Sequence, residues 1–257
     1  MKIGNRDLRV IASAPFKLRH AIAAKNMLGV YYNPSDALYR YLLGKGDYPA
    51  GIKVKTPIGP LLLTCNSPHD MLTVNEIFCR LDYLATDKDQ VVVDFGSNIG
   101  ISAAYFLTRS RTSFAYLYEP LQFNIDRLRT NLRAFEGRYS LNEVAVGLEE
   151  GKVQFGWEES GRYGGIGLQT GKYMSVNCID ANMALREVIA RHGRIDILKI
   201  DIETLEKQVT ERIPADVSCK IRKIYVEYRF EQNPLLQTHR YRQYGGVARL
   251  SNRLTTS

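Results

Sequence analysis

Val91-Val92-Val93-Asp94-Phe95-Gly96-Ser97-Asn98-Ile99-Gly100 runs from three β-branched residues directly into a cluster of Gly, Ser and Asn. The first half predicts a strand buried on both faces. The second predicts a tight turn that opens a helix over Ile101 to Leu107. Glycine has no Cβ, so the backbone of such a loop can pass close to a ligand and take up dihedrals other residues avoid. Asp94 stands at the strand end as an anchor.

The loop lacks the G-x-G-x-x-G spacing that seats a pyrophosphate on a helix N-terminus. In Asp94-x-Gly96-x-Asn98-x-Gly100 a fixed carboxylate stands where a phosphate would be repelled. That arrangement suits a cationic amino-acid cofactor such as S-adenosylmethionine, with Asp94, Gly96, Ser97, Asn98 and Gly100 as binding residues.

Composition narrows the class. The 257 residues are 45% hydrophobic, enough for one large domain or a domain with a cap. The formal charge of +8 sits at the ends. Residues 1–30 hold six Lys/Arg against one Asp, and residues 232–257 hold four Arg and no acid, so the middle is close to neutral. Basic ends meet either solvent or an anionic partner such as nucleic acid or a membrane surface. Cys65, Cys79, Cys178 and Cys219 form no C-x-x-C pair, which points away from a zinc site or a disulfide framework and towards reduced thiols in the cytoplasm. The apolar run from Val10 to Phe16 is cut off by Lys17, Arg19 and His20, too soon for a signal-peptide core or a membrane span.

Along the chain, helical periodicity from Phe16 to Val30 and from Pro34 to Leu42, closed at Gly44, predicts two helices. Ile52–Thr56 and Leu61–Thr64 flank Pro57-Ile58-Gly59-Pro60 and predict a hairpin. Asn75 to Tyr83 reads as a helix leading to the central strand. Phe114–Tyr118 is a second buried strand ending in Glu119-Pro120, and Glu119 lies 25 residues beyond Asp94. An acid at that place in a doubly wound sheet receives ribose hydroxyls. After a helix from Leu121 to Phe135, Tyr139 to Val146 reads as a third strand, with Glu143 placed to accept from an adenine amino group. Residues 152 to 178 contain two short strand-like runs around Gly156 to Gly167, and that stretch, glycine-rich beside Trp157, Arg162 and Tyr163, reads as a mobile loop able to close over a ligand. A helix from Asp180 to His192 leads to Ile195–Glu203, whose charges inside an apolar run are costly unless paired or used. A helix from Leu205 to Ile213 and a strand from Ile221 to Arg229 with Glu227 complete the alternation. The fold class is therefore α/β, a doubly wound, mostly parallel, Rossmann-like sheet with an N-terminal helical and hairpin cap.

From about Met71 to Arg229 the sequence resembles the FkbM-type S-adenosylmethionine-dependent methyltransferases. Asp94 to Gly100 matches their cofactor loop, Tyr118-Glu119-Pro120 their ribose-binding acid and Ala145-Val146-Gly147 the segment after their third strand. Asp196-Ile197-Leu198-Lys199-Ile200-Asp201-Ile202-Glu203 is similar to their Leu-Lys-x-Asp-x-Glu-Gly signature, except that Thr204 replaces the glycine. The resemblance implies a class I methyltransferase with a cap over residues 1–85 and a cofactor-binding domain over 86–232. Residues 233–257 would form final antiparallel strands or a partly disordered basic tail. It also implies methyl transfer to oxygen, commonly a sugar hydroxyl of a glycolipid, polysaccharide or natural product.

An alcohol must lose its proton to become a good nucleophile. Asp201 or Glu203 is the expected general base, with Lys199 setting their charge or orienting the acceptor. A divalent metal held by Asp201, Glu203 and Glu227 would also suit clustered carboxylates. Two competing functions are a nucleic-acid methyltransferase, drawn from the basic termini, and a non-catalytic binding protein on the same fold. Against the first, no Asn-Pro-Pro-aromatic run follows the fourth strand, and the arginines are not interleaved with a stacking platform.

Overall fold

The computed structural model describes residues 2–3, 6–7, 18–158 and 163–254. The run from Val10 to Phe16, and residues 159–162 of the glycine-rich stretch, lie outside them. The chain divides into two compact units, residues 1–84 and 85–257.

In the first unit, α1 (Leu18–Val30) and α2 (Pro34–Leu43) precede a hairpin of β1 (Ala50–Thr56) and β2 (Gly59–Cys65), followed by α3 (Pro68–Val74). Asn33 caps α2 by accepting from the Asp36 N–H, and Gly44 closes it at φ 60°. Strand alternation sorts the hairpin: Ile52, Val54, Leu61 and Leu63 are buried, while Lys53, Lys55 and Leu62 face out. The helix expected over Asn75 to Tyr83 is displaced. It starts at Pro68, where Ser67 and Asp70 form a capping box, runs into a π-helical turn over Asn75–Cys79, and has ended by Leu81, which is left-handed at φ 59°.

The second unit holds β3 (Val91–Phe95), α4 (Ile101–Leu107), β4 (Phe114–Tyr118), α5 (Gln122–Leu132), β5 (Tyr139–Asn142), β6 (Ala145–Gly147), β7 (Gly151–Trp157), β8 (Gly164–Ile166), β9 (Tyr173–Asp180), α6 (Ala181–His192), β10 (Ile195–Ile200), α7 (Glu206–Glu211), α8 (Ala215–Ser218), β11 (Ile221–Val226), β12 (His239–Tyr244) and β13 (Val247–Asn252). Seven strands form one sheet in the order β12-β13-β11-β10-β3-β4-β5. Its five chain-ordered parallel strands stand as 3-2-1-4-5, the doubly wound order with its switch point beside β3. The segment after residue 232 supplies the last two strands, β13 antiparallel to β11 and β12 antiparallel to β13. Every residue of β3 and β10 is buried, as helices on both faces require. Fully burying a side chain such as Phe95 or Leu198 contributes roughly 1.5–3 kcal/mol.

Two expectations need correcting. The third strand does not run from Tyr139 to Val146. It leaves the main sheet after Asn142, turns at Glu143-Val144, and its continuation β6 joins a second sheet of order β8-β7-β9-β6. The glycine-rich stretch is likewise largely a β-hairpin, β7 against β8 with Gly165 opposite Gly156. The strand-like runs expected between residues 152 and 178 are present, carried by the alternation Val153-x-Phe155-x-Trp157, and they extend into the stretch read as a loop.

Candidate functional site

Gly96 turns the chain off the end of β3 at φ 78°, and a Cβ there would fall 1.8 Å from the Asp201 carbonyl oxygen. Glycine is required because the loop after β3 and the loop after β10 touch backbone to backbone. The Gly96 and Ser97 N–H groups both donate to the Tyr118 carbonyl at 3.1 and 2.9 Å, tying the loop to the end of β4. Ser97 Oγ donates to the Asp94 carbonyl at 2.8 Å, and Gly100 packs against Leu128 and Leu132 of α5. Ser97 and Gly100 therefore shape the loop from behind.

Asp94 lies beneath the loop, fully buried, with Ser102 Oγ donating to it at 2.6 Å and Lys199 Nζ at 2.9 Å. Lys199, 2% exposed, also donates to the Gly96 carbonyl at 2.8 Å and lies 3.3 Å from Asp201. Burial pushes the Asp94 carboxyl up and Lys199 draws it back. Burial pulls the Lys199 ammonium down, but Asp94 and Asp201 more than offset this and hold it above its ordinary value. Asp94 and Lys199 are thus a buried pair that clamps β3, β10 and the glycine loop together.

The cleft above them is lined by Gly96, Asn98 and Glu119 on one side, by Asp201, Ile202 and Glu203 on another, and by Leu121, Val144, Val146 and Phe155. Its empty space, mouth included, is about 530 Å³, of which about 50 Å³ admits the centre of a water molecule. The floor is therefore narrow. The β7–β8 hairpin makes it so: Gly165 sits where a Cβ would lie 2.9 Å from the Glu203 carbonyl, and Thr204 Oγ1 donates to the Ile166 carbonyl at 2.7 Å. Glu203 and Thr204 are both left-handed, at φ 52° and 73°, a strained pair of non-glycine residues beside the cleft. Thr204→Val, which keeps the strain and removes the hydroxyl, should cost about 1 kcal/mol in urea unfolding; Thr204→Gly, which relieves strain while losing the same bond, should stay within about 1 kcal/mol of the parent.

Glu119 is 4% exposed and accepts from the N–H groups of Asn98 at 2.9 Å and Leu121 at 3.1 Å and from Asn124 Nδ2 at 3.2 Å. Burial raises its carboxyl to about 7 despite these donors. Glu206, also buried, is pushed up by desolvation and drawn back by backbone N–H groups that include those of Ile202 and Glu203. It steadies the strained loop, a role the sequence gave no sign of.

Of the ten expected site residues, Gly96, Asn98, Glu119, Asp201 and Glu203 line the cleft, while Asp94, Ser97, Gly100 and Lys199 support it from below. Lys199 is too deeply buried to orient an acceptor. Glu143 is not in the cleft: it is exposed and paired with Arg129, because the switch between sheets turns it outward and presents Val144 instead. Glu227 does not join Asp201 and Glu203 in the lining, and among the described residues no group of three His, Cys, Asp or Glu could hold a metal ion. The metal expected from clustered carboxylates has no site there. Sequence reading missed the apolar wall of Leu121, Val144, Val146 and Phe155, of which Val146 and Phe155 come from the second sheet.

The lining holds three carboxylates, Glu119, Asp201 and Glu203, and among its described residues no Lys or Arg, while Lys199 beneath it lies 3.3 Å from Asp201. Such a cleft suits a cationic ligand with an apolar ring system and disfavours a phosphate. Glu119 is the buried acid of this lining that could accept from the hydroxyls of such a ligand.

No family model matches the chain. A curated relative, the AMB antimetabolite synthetase AmbE of Pseudomonas aeruginosa, is 23% identical over 181 residues; the match takes in 69% of this chain and spans 8% of that protein. Among solved structures, an rRNA methylase from Streptococcus thermophilus is similar at 10% identity and a TM-score of 0.36, over 65% of this chain and 89% of that one. M. capricolum TrmK in complex with S-adenosyl-homocysteine gives 12% and 0.38, over 70% and 68%. A methyltransferase from Geobacter sulfurreducens gives 14% and 0.38, over 75% and 93%. The α/β, mostly parallel, Rossmann-like architecture rests on the strand order of this chain itself.

Proposed function

We propose that the chain is an S-adenosylmethionine-dependent methyltransferase of the FkbM kind. Its acceptor is a hydroxyl oxygen, of a sugar in a glycolipid, polysaccharide or natural product, and it works in the cytoplasm, in keeping with four free cysteines. Residues 86–232 are its cofactor-binding domain, which the last two strands complete, and residues 1–85 its cap. What supports the reading most is the cleft at the switch point beside the Gly96 loop, which brings Glu119, Asp201 and Glu203 into one lining with an apolar wall. When bound, S-adenosylmethionine supplies a methyl group already attached to a good leaving group. The chain's own tasks are to hold the acceptor in line and to remove one proton. Glu119 accepts from the ribose, the apolar wall takes the adenine, and Asp201 or Glu203 takes the acceptor proton. The buried Lys199 fixes the carboxylate of Asp201. A polar concavity with about 860 Å³ of empty space, mouth included, bordered by Lys207, Glu211, Arg229 and Glu231, opens past the end of the neighbouring strand β11 and is large enough to receive part of an acceptor.

Titration calorimetry with S-adenosylmethionine tests the first half: absence of binding ends this reading. A labelled methyl donor offered to sugars, glycolipids and oligonucleotides tests the second. Label in oligonucleotides alone would establish the nucleic-acid alternative, and no label in any acceptor would favour a non-catalytic binding protein. Asp201→Asn and Glu203→Gln should leave binding within a few-fold, while loss of the general base should lower turnover by about 10²–10⁴.

Glu119 also gives the binding a pH dependence. Its folded-state value of about 7 lies above the ordinary glutamate range, so its contribution to stability is complete at low pH and is lost as pH rises through 7. Ribose hydroxyls donating to the carboxylate favour its charged form. Binding should therefore release a proton near pH 7, and affinity should weaken by up to about tenfold per unit as pH falls below it. Calorimetry in buffers of different ionisation enthalpy would reveal the proton; an affinity flat from pH 5 to 8 would remove Glu119 from the ribose.

A further inference from the structure

The first unit carries an exposed patch that the cleft does not use. Leu28 near the end of α1 is 70% exposed, Tyr32 one turn on is 48% exposed, and Leu62 on the outer face of the hairpin is 60% exposed. They form one surface with cations. The Tyr32 N–H donates to the Lys53 carbonyl at 3.0 Å, the Lys53 and Lys55 ammonium groups stand 4.7 and 5.5 Å from the centre of the Tyr32 ring, and Lys53 is directly opposite Leu62 across the hairpin. Exposed Lys25 lies one helical turn before Leu28.

The charge here is uncompensated. Among the described acids of this unit, Asp36 pairs with Arg40, Glu76 and Asp82 pair with Arg80, and Asp70 is held in its capping box. Asp7 and Asp47 are the remaining acids of this unit, and among the described side chains no acid pairs with Lys25, Lys53 or Lys55. Large aliphatic tips beside a tyrosine and long lysines form the pattern of an interfacial surface. The apolar tips enter the boundary between headgroups and acyl chains, the tyrosine sits at headgroup level and the ammonium groups meet anionic lipid. A nucleic-acid surface would instead present donors and stacking faces, and here the Tyr32 face is already covered by lysines and its neighbours are leucines.

We propose that this face of the first unit docks on an anionic lipid surface. A docked chain would work on acceptors held at a membrane. The docking itself does not depend on the methyltransferase reading, since none of these residues lines the cleft.

The test is co-sedimentation of the full chain with vesicles of phosphatidylcholine alone and of phosphatidylcholine mixed equally with phosphatidylglycerol. Binding to the mixed vesicles only is expected, weakening as salt rises. Lys53→Glu with Lys55→Glu should lower the partition coefficient about tenfold or more. Leu28→Ser with Leu62→Ser should lower it several-fold at unchanged charge. Both pairs are exposed, so circular dichroism and S-adenosylmethionine binding should match the parent. Failure of the parent to bind mixed vesicles, or full binding by either variant, would overturn the proposal. So would binding to duplex oligonucleotide that the lysine changes abolish and the leucine changes leave intact, combined with no vesicle binding. Loss of S-adenosylmethionine binding in the parent would count against the enzymatic reading alone.

Discussion

Lys199→Met is expected to destabilise the second unit by about 3–5 kcal/mol at neutral pH, because it strands the carboxylate of Asp94 in a fully buried position. Removing one partner of a buried pair costs far more than the pair is worth, since the remaining charge has neither solvent nor counter-ion. The effect carries its own controls. Asp94→Asn combined with Lys199→Met should recover most of the loss, because the two side chains are in direct contact and their effects do not add. The single variant should also lose less as pH falls, because Asp94 can then take up a proton. Urea unfolding with parent, single and double variants decides the matter; a single variant within about 1 kcal/mol of the parent would show that the pair is not the clamp described.

Gly96→Ala is the second large effect. The new methyl would sit 1.8 Å from the Asp201 carbonyl, at a backbone φ of 78° that already disfavours alanine. Gly137 provides the comparison, since it has the same φ of 78° and nothing within 4 Å of an added Cβ. Gly137→Ala should cost about 1 kcal/mol, the price of the left-handed backbone alone. Gly96→Ala should cost more than about 3 kcal/mol or prevent folding, with the excess reporting the contact between loops. Where folded protein is recovered, displacement of Asp201 should lower turnover more than cofactor affinity. Equal losses at the two glycines would mean that the loops are not locked together.

The parts legible in the sequence share one property: their signal is local. Phe114–Tyr118 reads as an unbroken apolar run with the bounds the structure shows, and Val91-Val92-Val93 marks the strand that runs one residue past Asp94 to Phe95. Gly96 and Glu119, which line the cleft, and Asp94, which lies beneath it, stand out in the sequence because strand ends and glycine loops have short-range signatures. The sheet switch at Glu143-Val144 has none, since nothing in Tyr139 to Val146 tells which half pairs with β4 and which with β9. Glu143 was misplaced for that reason. Strand-like runs are legible between residues 152 and 178, but their pairing into a hairpin is not, because glycine, needed there for closeness to Glu203, also reads as a loop. Lys199 was rightly marked as a charge in an apolar strand, but only its distances to Asp94, Gly96 and Asp201 reveal a strut in place of a reagent.

The basic C-terminal end has a consequence for how copies of the chain behave towards one another. Arg253 is bound to the Leu236 and His239 carbonyls, and Arg249 stacks on Tyr244, so neither is a loose tail. Arg240 and Arg242 lie exposed on β12, the outermost strand of the seven-stranded sheet. An outermost strand offers unsatisfied backbone groups to any passing chain, and like charges set along it repel a second copy before strand can meet strand. Those two arginines are thus placed to keep the sheet from growing by self-association, and replacing both with threonine should leave the fold intact while making the protein more prone to aggregate on concentration.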